Sequence, residues 1–165
     1  GKKLLFMGGE FGQRREWTHD GELEWWVTGL PGHAGTQRLV RQLNEALRRE
    51  PALHQLDFSG EGFEWIDADD ADLSVYAFVR KGRDGAAPVL VVSNFTPVPR
   101  ENHRLGVPRA GRWTELVNSD AHEFDGSGWG NLGAAETAPV PSHGRPQSLV
   151  LSLPPLSTLY LKGPA

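Results

Sequence analysis

Short apolar segments recur at regular intervals beyond about residue 51, and this spacing constrains the fold more than any other feature of the sequence. The segments are rich in Val and Leu, and clusters of Gly, Pro, Asp and Asn separate them. Short strands separated by such turn residues are typical of antiparallel sandwiches and barrels. We therefore predict an antiparallel β-sandwich, with strands at residues 63–66, 74–80, 89–95, 103–107, 113–118, 148–153 and 157–162.

Two segments between the predicted strands contain residues that could bind a ligand. Residues 67–72 (DADDAD) resemble the first half of a calcium loop. Asp72, however, stands where such a loop requires Gly, and Phe78 stands where it requires Glu. We interpret these residues as a solvated turn. Residues 126–133 (GSGWGNLG) precede no helix that could bind phosphate, and we interpret them as a surface loop carrying Trp129.

The first fifty residues have a different pattern, which predicts one strand–loop–helix unit at residues 1–50 ahead of an all-β domain at residues 51–165. Residues 36–50 place apolar side chains on one face of a helix, with Thr36 as its N-cap and Pro51 ending it. That stripe consists of Leu39, Val40, Leu43, Ala46 and Leu47.

An apolar run at residues 4–7 (LLFM) predicts a strand buried on both faces. Such strands are typical of parallel sheets, whose other strands belong to the same fold. No partner strand precedes this one in the sequence, and the chain begins without Met. We therefore expect the chain to be a piece of a larger protein.

The composition argues against several classes of function. The formal net charge is −4 and the basic residues are scattered, so we predict no nucleic-acid partner. The absence of cysteine excludes disulfides and thiolate zinc sites and suits a reducing cytoplasm. No apolar run approaches the ~18 residues of a membrane span, so we predict no membrane partner. The six histidines lack metal-ligand spacing, and we predict neither a metal nor another cofactor.

The segment at residues 8–33, called the 8–33 loop below, is the best candidate for a functional site. It is far longer than a usual connection and is rich in Trp, His, Asp and Glu. Such residues suit sugars, whose C–H faces stack on indole while their hydroxyls bond to polar groups. Any one of the Trp side chains could instead pack the loop against the fold. The sequence gives no geometry for Glu10 and Glu16 as a glycosidase pair, and no G-x-S-x-G motif occurs, so we assign no catalytic residue.

Several segments resemble one family. They include FMGGEFGQRREWTHDGELEWW at residues 6–26, NFTPVPR at residues 94–100, SHGR at residues 142–145 and LPPLSTL at residues 153–159. These segments resemble bacterial glycogen (1,4-α-glucan) branching enzymes of the α-amylase superfamily. The resemblance spans almost the whole chain.

The resemblance implies a fold and an activity. Residues 1–50 would be the last strand–loop–helix unit of a (β/α)8 barrel, and residues 51–165 the C-terminal sandwich domain. Enzymes of this family cut an α-1,4-glucan chain and transfer the cut segment to a 6-hydroxyl, forming an α-1,6 branch by a retaining double displacement. The catalytic Asp, Glu and Asp of these enzymes precede the part of their sequence that this chain resembles. The chain alone is therefore expected to be inactive, with the upstream barrel and an α-glucan such as glycogen or amylose as its partners.

The same resemblance implies that the 8–33 loop lines one side of the catalytic cleft. The residues expected to face substrate are Glu10, Trp17, His19 and Asp20. Two alternatives assign a different role to the sandwich, either as a glucan-binding module or as a purely structural domain. An exposed Trp113 or Trp129 on the sandwich would favour glucan binding, whereas burial of both would remove the main support for it.

Overall fold

The computed structural model describes residues 2–165; Gly1, where the predicted strand–loop–helix unit begins, lies outside this range. Within it, one α-helix, α1 (His33–Arg49), precedes eight strands. The strands are β1 (Phe63–Asp70), β2 (Val75–Arg80), β3 (Val89–Asn94), β4 (Arg100–Gly106), β5 (Arg112–Asn118), β6 (Ala134–Glu136), β7 (Ser148–Leu153) and β8 (Ser157–Lys162).

The strands form two antiparallel sheets, which confirms the predicted sandwich. Six strands lie in the order β1-β2-β3-β8-β5-β6, and β4 pairs with β7 in the second sheet. Alternation along the strands explains this arrangement. In β8, Ser157, Leu159 and Leu161 are buried, whereas the residues between them are half-buried. Since successive side chains of a strand point to opposite faces, one face of β8 points into the sandwich.

The main hydrophobic core lies between the two sheets. The second sheet contributes Leu105, Leu149, Leu151 and Leu153, and the larger sheet contributes Val75, Ala77, Val79, Leu90, Val92, Trp113, Leu159 and Leu161. Trp113 is fully buried, and its indole Nε1 donates to the carbonyl of Arg109 at 3.1 Å. This bond supplies the partner that a buried indole N–H requires.

Helix α1 packs on the outer face of the six-stranded sheet. Its residues Ala46 and Leu47 contact a second buried cluster that contains Val89 and Val91 of β3. All four residues at the start of β3 (VLVV) are therefore buried, with alternate side chains directed to the core and to the helix. A continuous apolar run of this kind is typical of a strand covered on both faces.

The prediction of a turn at residues 67–72 is wrong for its first four residues. Strand β1 continues to Asp70, with irregular pairing on both sides of Asp67, and the turn lies at residues 71–74. β1 is an edge strand, and bulges and charged side chains are common there. Strand β4 also begins earlier than predicted, at Arg100. Strand β6 was not predicted, because three residues after a glycine-rich segment show too little alternation to indicate a strand.

Helix α1 begins at His33 rather than at residue 36, and Thr36 is not its N-cap. Gly32 occupies the N-cap position, and the Thr36 hydroxyl donates to the carbonyl of Gly32 at 2.8 Å, a bond within the first turn. The acceptor for the Gly32 N–H is Asp125, 93 residues further along the chain. Sequence rules consider only local acceptors and therefore placed the start of the helix too late. The helix ends at Arg49, next to the predicted stop at Pro51.

Residues 4–7 do not form the predicted buried strand. Residues 4–6 have no regular secondary structure, Met7 lies in a turn, and Leu4 is 90% exposed. A strand requires a neighbour that accepts and donates its backbone hydrogen bonds, and residues 2–62 contain no strand. Leu4 and Leu5 instead line an apolar hollow of about 410 Å³ beside Leu43 and Leu47 of α1. The barrel unit stays a prediction.

Asp57 fastens this N-terminal segment to the sandwich. Lys3 Nζ lies 2.6 Å from Asp57 Oδ2, and Arg80 Nη2 of β2 donates to Asp57 Oδ1 at 2.6 Å. Lys3 also donates to the carbonyl of Leu53 at 3.3 Å. Burial by itself would raise the pKa of Asp57, but the hydrogen bonds and charges of Lys3 and Arg80 outweigh it and lower the pKa from 3.8 to about 2.

Replacing Asp57 with Asn removes the charge on which Lys3 and Arg80 converge. We expect the free energy of unfolding to fall by about 2 kcal/mol at neutral pH, since hydrogen bonds to charged groups contribute about 1.5–3 kcal/mol. A carboxyl whose pKa is lowered by folding stabilises the fold above its unfolded pKa of 3.8, and this contribution is lost as pH falls toward about 2. Urea unfolding should therefore show the parent and the variant converging in acid. Asp72→Asn, at an exposed carboxyl, is the control, and a gap that persists near pH 2 would contradict this prediction.

Adjacent positions of β7 provide a matched test of the core. Leu151 is fully buried, whereas Val150 beside it faces outward. We expect Leu151→Ala to lower the free energy of unfolding by about 2–5 kcal/mol, because the cavity left behind collapses only in part. Val150→Ala should cost less than about 1 kcal/mol. Equal losses in denaturant unfolding would show that the sandwich core does not lie where we describe it.

Candidate functional site

The 8–33 loop is compact although it contains no strand. Two short 3₁₀ turns, Gly9–Phe11 and Trp25–Gly29, lie near its ends. Phe11 is fully buried in the first turn, and its ring packs against Trp25 of the second with ring centroids 5.2 Å apart. At the base of the loop, His33 Nδ1 lies 2.9 Å from the carbonyl oxygen of Phe11. Both ends of the loop are thereby joined to the start of α1.

Polar side chains in the middle of the loop bond mainly to its own backbone. Glu24 Oε2 accepts from the backbone N–H groups of Arg14 and Arg15 at 2.9 and 3.1 Å. The Gln13 side chain donates to the carbonyl of Arg15 at 2.8 Å and accepts from the N–H of Glu24 at 3.3 Å. Such bonds keep the loop in one conformation, so the role of Gln13 and Glu24 is structural.

Three of the four residues predicted to face substrate lie together. His19 Nε2 is 3.1 Å from Asp20 Oδ1, and the rings of Trp17 and His19 have centroids 6.5 Å apart. All three side chains are well exposed. Glu10 lies in the first 3₁₀ turn, and within residues 2–165 no hydrogen bond, ion pair or ring contact joins it to the other three. The predicted site is thus one exposed group of three residues and a separate carboxylate.

Trp17 also forms one wall of an open cleft of about 410 Å³. Arg15, Glu16 and the backbone of Gly8 and Gly9 line the same cleft. An exposed indole face next to a carboxylate and a guanidinium can stack a sugar ring and bond its hydroxyls. Glu10, His19 and Asp20 do not line this cleft.

Sequence reasoning missed a second feature, a row of aromatic side chains on the outer face of the larger sheet. We call it the aromatic surface; it consists of Phe63, Trp65, Tyr76, Phe78 and Phe95. Phe63 stacks on Phe78 with centroids 4.9 Å apart, and Trp65 lies edge-on to Phe78 at 5.7 Å. The row continues from Trp65 through Tyr76 to Phe95. Trp65 is 52% exposed and Phe95 is 61% exposed.

The register of β1 on β2 produces this aromatic surface. Trp65 pairs directly with Phe78, so aromatic residues from two sequence segments meet on one face. Exposed aromatic groups of this size often mark a binding surface. The sequence signal was the i, i+2 spacing of Phe63 with Trp65 and of Tyr76 with Phe78. It becomes informative only once the register is known.

The two tryptophans that were expected to report on glucan binding differ. Trp113 belongs to the core and cannot contact a ligand. Trp129 is 41% exposed on the glycine-rich loop, where its carbonyl accepts from Asn118 Nδ2 at 2.7 Å. Only Trp129 of this pair therefore supports the binding alternative.

Ser142, His143 and Asp67 form a row that resembles a hydrolase triad. Ser142 Oγ lies 2.8 Å from His143 Nδ1, and His143 Nε2 lies 3.4 Å from Asp67 Oδ2. The backbone N–H of Gly106 also donates to His143 Nδ1 at 3.3 Å. The lone pair that would take a hydroxyl proton is therefore already engaged. We interpret the row as fastening residues 142–145 to β1 and β4.

A half-buried histidine, His103, lies close to this row. Burial lowers the pKa of His103, although the carboxylates of Asp70 and Asp67 act in the opposite direction. His103 therefore stays neutral near neutral pH.

No group of three His, Cys, Asp or Glu side chains in the described part of the chain could hold a metal ion. The helix described there is not long and apolar enough to cross a membrane.

Comparison with known families gives one match that covers the sandwich. The family described as "Alpha amylase, C-terminal all-beta domain" matches residues 65–163. The match begins within β1 and ends just beyond β8, so it contains both sheets.

Curated relatives are similar over nearly the whole chain. The 1,4-alpha-glucan branching enzyme of Albidiferax ferrireducens is 72% identical over 162 residues, which are 98% of this chain and 26% of the relative. Those of Aromatoleum aromaticum and Aquifex aeolicus are 63% and 58% identical, each over 98% of this chain and over 25% and 26% of their own lengths. The chain spans about a quarter of the length of these relatives.

Proposed function

The chain belongs to the α-amylase C-terminal all-β domain family, and on this premise we propose that it acts as the C-terminal part of a glycogen branching enzyme. The observation that supports the proposal most strongly is the similarity to named branching enzymes, which extends beyond the sandwich into the 8–33 loop. Membership of the sandwich-domain family alone would explain similarity only over residues 65–163.

The proposed reaction transfers a glucan segment in two displacements. A carboxylate attacks the anomeric carbon of an α-1,4 bond, an acid protonates the leaving 4-oxygen, and a glycosyl-enzyme forms. The 6-hydroxyl of another glucan then attacks the same carbon, gives its proton to the conjugate base and releases the carboxylate as the α-1,6 bond forms. We assign these carboxylates to the catalytic barrel of the whole enzyme and none of them to this chain.

The part we propose for this chain is to line the cleft and support the barrel. The exposed face of Trp17 would stack on a glucose ring. His19 and Asp20 would bond its hydroxyls, and Glu10 would contact substrate from the neighbouring turn. The apolar hollow beside Leu4, Leu5 and Leu43 suits a contact with the barrel, because it leaves apolar side chains uncovered.

Grafting tests this assignment. We would join this chain to the remaining three quarters of the Albidiferax ferrireducens relative and follow loss of the iodine colour of amylose. We expect the graft to branch amylose and the 165-residue chain alone to be inactive. Activity of the chain alone, or a folded but inactive graft, would contradict the proposal.

Within the graft, Trp17→Ala should lower kcat/KM about two- to tenfold, since an aromatic stacking contact contributes about 0.5–1.5 kcal/mol. Trp26→Ala is the control, because Trp26 is exposed in the same loop but does not line the cleft. Equal effects of the two substitutions would argue against Trp17 as a substrate contact.

The aromatic surface favours a second candidate function, in which the sandwich itself holds long glucan chains. Exposed aromatic faces on adjacent strands match the apolar faces of successive glucose units. This function does not exclude the first, because the aromatic surface and the cleft beside Trp17 are formed by different residues. Trp65 is the most prominent candidate, because it contacts three other rings of the surface.

Affinity electrophoresis in gels containing glycogen tests this second function. We expect glycogen to retard the 165-residue chain and Trp65→Ala to lose about tenfold in affinity, equivalent to about 1.4 kcal/mol. Trp129→Ala tests the glycine-rich loop as the other possible binding site. If Trp129→Ala abolished retardation and Trp65→Ala did not, the glycine-rich loop would be the binding site. Absence of retardation for the parent chain would leave a purely structural sandwich.

A further inference from the structure

A side chain of the sandwich holds the start of helix α1. Asp125 Oδ2 accepts from the backbone N–H of Gly32 at 2.9 Å, and Asp125 Oδ1 accepts from Arg38 Nη2 at 2.9 Å. Arg38 Nε also donates to the carbonyl of Glu123 at 2.5 Å. We call these contacts the Asp125 clamp. They place a carboxylate at the N-terminus of the helix, where the helix dipole favours negative charge.

Close backbone packing accompanies the clamp. A Cβ placed on Gly35 would lie 2.1 Å from the carbonyl oxygen of Phe124 and 2.6 Å from Asp125 Oδ2. Only glycine permits this approach of the helix to residues 122–125. Asp125 itself has a left-handed backbone (φ 64°) and follows the 3₁₀ turn at His122–Phe124. The Gly32 N–H bond lowers the pKa of the Asp125 carboxyl, which therefore stays ionised at neutral pH.

Gly32, which the Asp125 clamp holds, is itself one of the last residues of the 8–33 loop. His33 follows Gly32 and contacts the carbonyl of Phe11 through Nδ1 at 2.9 Å. The N–H of Ala34 donates to the carbonyl of Leu30 at 3.0 Å, at the end of the loop. Phe11 and Glu10 share one 3₁₀ turn, and the cleft beside Trp17 includes the backbone of that turn at Gly9. Gly32 is thereby connected to the cleft through His33, Phe11 and Gly9.

We propose that Asp125 is a positioning residue: it sets the conformation of the 8–33 loop from the sandwich, through Gly32, His33 and Phe11. The role in catalysis rests on the proposed function, since it requires that the loop contact a glucan. The role in holding the loop does not, and it is tested separately. Misplacing a substrate-contacting group by about 1 Å can cost up to about 100-fold in rate, so a residue remote from the chemistry can matter.

The chain provides a closely matched pair of substitutions. Asp125→Gly removes the carboxylate and suits the left-handed backbone at that position. Asp84 also has a left-handed backbone (φ 52°) and is exposed, so Asp84→Gly imposes the same backbone change without touching the clamp. Because both variants lose a carboxylate and gain a glycine, any difference between them reports the bonds that Asp125 accepts from Gly32 and Arg38.

Hydrogen exchange of the 165-residue chain is the first measurement. We expect Asp125→Gly to accelerate exchange at least about tenfold at residues 9–13 and 24–34, because local opening becomes easier when its restraint is lost. Strands β3 and β8 should exchange as in the parent, and Asp84→Gly should change neither region. Acceleration confined to residues 32–38 would show that Asp125 only caps the helix, and would overturn the proposal.

The second measurement uses the graft with the Albidiferax ferrireducens relative. Asp125→Gly should lower kcat about tenfold relative to Asp84→Gly when both are assayed well below their thermal midpoints. Arg38→Gln, which keeps the bond to Gly32, should have a smaller effect in the same direction. Unchanged kcat in a graft whose loop exchange is accelerated would overturn the catalytic role. Lack of activity in the unsubstituted graft would contradict the proposed function, while the exchange result would still decide whether Asp125 holds the loop.

Discussion

Strands β3 and β8 lie at the centre of the six-stranded sheet, and the rest of the structure is arranged to cover both faces of β3. Leu90 and Val92 point into the sandwich core, whereas Val89 and Val91 point toward the helix side. An apolar face left in water costs about 25 cal/mol for each Å² exposed. The β4–β7 sheet covers one face and α1 with residues 51–53 covers the other. The six-stranded sheet therefore requires a covering layer on each of its two faces.

The position of α1 decides where the loop can lie. The C-terminal half of the helix packs through Ala46 and Leu47, and its N-terminus is held by Asp125 and Arg38. A helix fixed at both ends has little freedom to rotate or slide. The 8–33 loop leads into the fixed end at Gly32, so its conformation depends on the sandwich as well as on its own hydrogen bonds. This dependence connects the structural domain to the proposed substrate contacts.

The aromatic surface results from incomplete cover of the same sheet. Helix α1 covers the part of the outer face formed by Val89, Val91 and Tyr160, whereas Trp65 and Phe95 stay exposed. The rings contact one another without a covering layer, with Phe63 stacked on Phe78 and Tyr76 edge-on to Phe95. The same chain thus contains a loop cleft and a separate exposed apolar face.

The sequence by itself determined the elements whose pattern is local. Alternation placed β7 and β8 within their observed bounds, four consecutive apolar residues identified β3, and Pro51 predicted the end of α1. The sequence also named Glu10, Trp17, His19 and Asp20, because their residue types and the family resemblance lie in one short segment; their contact with substrate stays a prediction.

Only the tertiary structure decided the features that depend on distant partners. The run at residues 4–7 is apolar enough for a strand but has no neighbour to pair with in the described chain. The start of α1 depends on Asp125, which is 93 residues away from Gly32. The pairing of Trp65 with Phe78 depends on the register between two strands. Local patterns report which face of an element is apolar; which groups meet across elements is decided by packing, because hydrogen bonds and side-chain contacts form between residues of any sequence separation.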